Sequence, residues 1–81
     1  MSLSPIEERI LSICHTRTKR SEVYKALRDQ WPLEAVHSAI LSLEHQHLLE
    51  EDLIRREHGY EVRYFETTQL GSQTLFGRTS Y

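Results

Sequence analysis

Residues 52–68 read DLIRREHGYEVRYFETT, and this stretch decides the fold. Side-chain character alternates with a period of two on either side of His58 and Gly59, the signature of two extended segments joined by a turn. The pattern predicts a β-hairpin over about residues 52–66, with His58 and Gly59 as a two-residue turn and Gly59 supplying a positive φ. That turn places Arg56 opposite Glu61 and Arg55 opposite Val62 across the ladder. Beyond the hairpin, Thr67 or Thr68 can cap a short helix over about 68–76, with Leu70 and Leu75 facing inward and Gly77 near its end.

Upstream of the hairpin the period changes to that of a helix, three times. The first helix, about 5–15, opens with Ser4 as N-cap, Pro5 at its first position and Glu7 three residues after Ser4, which together make a capping box. Its apolar stripe is Ile6, Ile10, Ile13 and Cys14, flanked by Leu11. A second helix, about 21–31, is capped by Ser21 and buries Val23, Leu27 and Trp31 beside Tyr24, with Lys25 and Asp29 paired one turn apart on its outside. Pro32 then starts a third helix, about 32–48, after a very tight turn. It turns Val36, Ile40, Leu43 and Leu48 inward, helped by the small Ala35 and Ala39.

The chain has 81 residues and a formal charge of −2, which is enough for one domain, 1–81, with a small core and without a deep substrate cleft. The fold class expected is mainly α with a small β-hairpin (α+β). No apolar run is long enough to cross a membrane and no secretory h-region follows the N-terminus, so a cytoplasmic protein is expected. A single cysteine, Cys14, excludes an internal disulfide and reads as an inert core thiol.

Three helices, a two-stranded ribbon and a closing helix, in this order, are the layout of a winged helix-turn-helix. Two strings sharpen the likeness. AILSLEHQHLLEE resembles the end of the recognition helix in the PadR and MarR families, where L-x-x-L-E-x-x-G-L-I leads into the wing; Ile40, Leu43, Glu44, Leu48 and Leu49 fill that pattern. RYFETTQLGSQTL is similar to the YYxLTxxG signature that closes the wing of PadR proteins, with Tyr64, Phe65, Thr68, Gly71 and Leu75 at the matching positions. His47 stands where the families usually carry Gly, and the long C-terminal dimerisation helix of PadR proteins has no counterpart in these residues. The resemblance implies a transcriptional regulator that binds double-stranded DNA as a homodimer, with the third helix in the major groove.

Charge is distributed unevenly enough to test that implication. Residues 15–32 hold five basic side chains against two acidic ones, whereas residues 33–54 hold five acidic and no basic ones. Phosphate attracts Lys and Arg, so the expected DNA contacts are Arg17, Lys19 and Arg20 ahead of the second helix and Arg55, Arg56 and Arg63 on the wing. His37, Ser38 and Ser42 of the third helix are expected to face base edges. Because Arg56 is opposed by Glu61, Arg55 and Arg63 are the stronger wing candidates. The expected dimer surface is the first helix with the terminal one, through Leu70, Phe76 or Tyr81.

Other chemistries fit less well. His45 and His47 lie about 200° apart around a helix, and His37 and His45 about 12 Å apart along it, so no metal site and no cofactor are expected. The glycines are scattered at Gly59, Gly71 and Gly77, with no nucleophile elbow, phosphate loop or metalloprotease string, which argues against an enzyme. The competing reading is a winged helix used as a protein–protein interaction module, its partner bound on the acidic face of the third helix through Leu33 and Leu41.

Overall fold

The computed structural model describes residues 3–76, with the backbone alone at 52–55, 57 and 60. Gly77 and Tyr81, and the side chain of Arg55, lie outside what is described. The elements run α1 (Pro5–Ile13), β1 (Thr18–Lys19), α2 (Arg20–Leu27), α3 (Leu33–His45), β2 (Leu49–Glu57), β3 (Tyr60–Thr67) and α4 (Gln69–Phe76). Helices and sheet meet at one core that includes Ile10, Leu11, Cys14, Val23, Leu27, Val36, Ile40, Leu43, Leu48, Leu49 and Phe65. Leu11 is fully buried while Ile6 and Ile13 pack only at the edge, so the stripe of α1 is centred on Ile10, Leu11 and Cys14.

The capping box forms as the sequence dictates: Glu7 N–H donates to the Ser4 hydroxyl and Ser4 N–H to the Glu7 carboxylate. The start of α2 differs. Lys19 is its N-cap, with no side chain capping the helix by a hydrogen bond, and Ser21 lies inside the helix. The reason is β1, a two-residue strand that runs directly into α2 and leaves no room for a separate capping turn. Helix α2 also stops at Leu27, so Asp29 falls beyond it and the helical Lys25–Asp29 pairing is not set up. Trp31 follows in the turn, its N–H donating to the Leu27 carbonyl at 3.0 Å, half-buried against the core.

The sheet has the order β1-β3-β2, all antiparallel. At the hairpin tip His58 and Gly59 both have positive φ, 52° and 83°, the conformation of a two-residue turn that suits the twist of paired strands. It sets the expected register, Arg56 opposite Glu61 and Arg55 opposite Val62. Nearer the base the register slips between Asp52 and Arg55, so that two residues of β2 oppose the single Arg63 of β3, a β-bulge.

Two junctions explain the residues of the wing-closing string. Helix α3 ends with His47 in the left-handed region at φ 62°, its N–H donating to the Glu44 carbonyl and the Leu48 N–H to the Leu43 carbonyl. This is a Schellman closure, and its left-handed position is where glycine costs least. At the other junction Thr68 donates to the His47 carbonyl at 2.7 Å and accepts from the Gly71 N–H at 3.0 Å, which caps α4. Gly71 packs so tightly that a Cβ there would run into the Leu48 carbonyl. Buried Thr67 fastens the same corner to α1, its hydroxyl donating to the Leu11 carbonyl at 2.7 Å and its N–H to the Cys14 carbonyl at 2.9 Å. Burial pushes the Cys14 thiol up to about 12, as befits an inert core group.

Candidate nucleic-acid interface

Strand β1 determines where the basic residues go. Thr18 pairs with Phe65 and Lys19 with Tyr64, and Phe65 points into the core. Side chains alternate along a strand, so Lys19 and Tyr64 lie on the opposite face of the sheet. Arg17 joins them there, its guanidinium 4.8 Å from the centre of the Tyr64 ring, at cation–π distance.

Arg20 goes the other way. It stacks over Tyr24 at 5.5 Å and lines a groove of about 560 Å³ with Ser21, Tyr24, Leu33, His37, Glu61, Val62 and Arg63. The walls of this groove are the start of α2, the start of α3 and strand β3. Within it the Tyr24 hydroxyl and His37 Nδ1 are 3.2 Å apart, which ties the two helices together. An adjoining recess shares Ser21, Tyr24 and Leu33 and adds Lys25, Arg28 and Trp31, extending the basic side along α2. The sequence signal for these two cations is the i, i+4, i+7 spacing of Ser21, Lys25 and Arg28.

Of the residues expected to form a site, the groove therefore gathers Arg20, His37 and Arg63. Arg17 and Lys19 lie across the sheet from them. Arg56 is exposed opposite Glu61 near the hairpin tip, and Ser38 and Ser42 are exposed on α3 outside the groove. The Ser42 hydroxyl accepts from the Gln46 side chain at 3.1 Å.

Two acidic groups that sequence reasoning did not connect to the site control its charge. The Arg63 guanidinium lies 3.0 Å from the Glu51 carboxylate, both partly exposed. Glu44, half-buried at the far end of α3, is held above its ordinary value by desolvation and then by Glu51, against the opposing pull of Arg20, Arg63 and His37. The candidate face is thus a mixed cluster of cations and carboxylates with an excess of the former along α2. Among the described residues no group of three metal-ligating side chains comes together, and no helix is long and apolar enough to cross a membrane.

A helix pair, α2 and α3, backed by α1 and flanked by the β2–β3 ribbon defines a winged helix-turn-helix. Solved structures place it more narrowly. The fold is similar to a PadR-like transcription factor from Bacteroides fragilis (TM-score 0.74, 16% identity, covering 93% of this chain and 77% of that one). A protein of Streptococcus mutans UA159 matches at TM-score 0.79 and 18% identity, over 98% of this chain and 78% of that one. A PadR family transcription regulator from Clostridium difficile R20291 matches at 0.75 and 18%, over 94% and 84%. No family model matches the sequence, and no curated protein does. The fold is a PadR-like winged helix.

Proposed function

We propose that the protein is a DNA-binding transcriptional regulator in which α3 enters the major groove and the ribbon lies along the phosphate backbone. The observation that carries this reading is the groove between α2, α3 and β3, where Arg20, His37 and Arg63 converge. Helix α2 adds support, because it starts with Lys19 and Arg20 at the positive end of its dipole and has no side-chain cap. A cation is unfavourable there in isolation and becomes favourable when a phosphate meets both Arg20 and the helix N-terminus. Arg56, exposed farther along the ribbon, extends the phosphate contacts, and Ser38 and Ser42 face the bases, whereas Arg17 and Lys19 lie on the other face of the sheet. Action as a homodimer fits the exposed Leu70 and Phe76 of α4 beside α1.

Fluorescence anisotropy with generic duplex DNA at two salt concentrations tests this. Micromolar binding that weakens steeply with salt, and weakens further in the Arg20→Ala, Arg63→Ala double variant, is the expected result. Absence of binding at low salt would reject it in favour of a protein partner on the leucine-bearing face of α3.

A further inference from the structure

The outer face of α3 carries no Lys or Arg; indeed neither occurs between Arg28 and Arg55. Its exposed side chains are Glu34, Ser38, Leu41, Ser42 and His45, with Leu33 and His37, also exposed, at the groove. A face like this cannot make the bidentate Arg or Lys contact to guanine that dominates hydrogen-bonded base reading. Two of its polar groups already have partners in the chain, His37 Nδ1 with the Tyr24 hydroxyl and the Ser42 hydroxyl with the Gln46 side chain. The large apolar groups on this face are Leu33 and Leu41, 68% and 53% exposed, whereas Leu43 of the same helix is fully buried.

We infer that Leu33 and Leu41 make α3 a reader of thymine methyl groups, so that the protein favours T-containing major grooves over G·C ones. This rests on the DNA-binding reading above and specifies its substrate. A duplex whose phosphates meet Arg20 and Arg63 brings its base edges against α3, and the C5-methyl of thymine is the one apolar group that the major groove offers. The geometry suits it. Eight residues of helix span about 12 Å, which is three to four base steps at about 3.4 Å each, so the two leucines address separate base pairs. Glu34, an acceptor between them in sequence, opposes phosphate and guanine O6 and accepts only from adenine N6 or cytosine N4, so the preference for thymine rests on the two leucines.

The experiment compares binding of the full chain to alternating A-T and alternating A-U deoxy duplexes at one low salt concentration. These copolymers differ only in the C5-methyl and offer it in every register. Removal of the methyls should weaken binding about fourfold for each one contacted, the equivalent of about 0.8 kcal/mol per buried methyl group. Leu41→Ala, at an exposed helical position, should weaken binding to the A-T duplex and leave the A-U duplex nearly unchanged, shrinking the ratio between them. Equal affinity for both duplexes in the unsubstituted chain would overturn the thymine-methyl reading while leaving DNA binding intact. Failure to bind either duplex would overturn DNA binding itself, and a ratio that persists in Leu41→Ala and Leu33→Ala would assign the preference to duplex shape rather than to these side chains.

Discussion

Arg63 and Glu51 form an ion pair at 3.0 Å across the β2–β3 ladder, and the pair sits where the ribbon meets the groove. Glu51 is opposite Phe65 in the register, so Arg63, two residues earlier on β3, is its diagonal neighbour on the same face. With side chains 42% and 31% exposed, the pair contributes at most about 1 kcal/mol to stability. Its larger effect is to hold one cation of the groove against a carboxylate.

Glu51→Gln removes that competing charge. The variant is expected to bind duplex DNA several-fold more tightly at low salt and to steepen the logarithmic salt dependence by up to about one, with stability changed by less than about 1 kcal/mol. Anisotropy titrations across a salt series measure both quantities, and an unchanged slope would mean that Arg63 stays away from phosphate.

His47→Gly relieves a left-handed residue at the end of α3. A side chain there costs about 1 kcal/mol relative to glycine. The variant should therefore gain up to that amount in urea titrations, and its Tm should rise by roughly 4–8 °C; a loss of stability would show that the His47 side chain is held by contacts of greater value.

Gly71→Ala acts in the opposite direction. The added methyl meets the Leu48 carbonyl, which is main chain and cannot rotate away. A loss of about 3 kcal/mol is expected, because overpacking at a rigid junction forces the backbone to shift. Chemical denaturation monitored by far-ultraviolet circular dichroism reads it, and a variant as stable as the parent would indicate that the α4 corner is free to open.

Glu44 gives the stability curve a definite sign. Its carboxyl holds a proton more tightly in the folded chain than in the unfolded one. The stability it adds is present at low pH, where it is protonated in both states, and is lost as pH rises through its elevated folded value. Glu44→Gln should remove this component, so the difference between variant and parent stability should grow in the variant's favour from pH 4 towards neutrality. A difference that is flat with pH would show that Arg20, Arg63 and His37 fully offset the desolvation.

Much of this was legible in the sequence because it depends on local rules. Ser4, Pro5 and Glu7 specify the start of α1, and the turn at His58 and Gly59 counts out the partners of Arg55 and Arg56. What was not legible depends on residues distant in sequence. Strand β1 consists of two residues in a polar stretch and exists only because β3 pairs with it; without it Ser21 looks like a cap, and Arg17, Lys19 and Arg20 look like a single patch. The Arg63–Glu51 pair was hidden for a similar reason. Counting back from the turn without the bulge puts every partner of β2 below Arg55 one residue out of register, and attention falls on Arg56 and Glu61 instead. Leu33 and Leu41 were visible from periodicity alone, since nothing on the helix needs them inside.

Thr18 and Lys19 form a strand of the sheet that runs without a break into α2 at Arg20. The distance from the helix pair to the ribbon is accordingly a built-in dimension, set by main-chain hydrogen bonds before any encounter. For a double helix seated on this surface, the nucleic acid is the compliant body: it must widen, narrow or bend to span a fixed calliper. Sequences that deform cheaply are then selected even at positions no side chain touches.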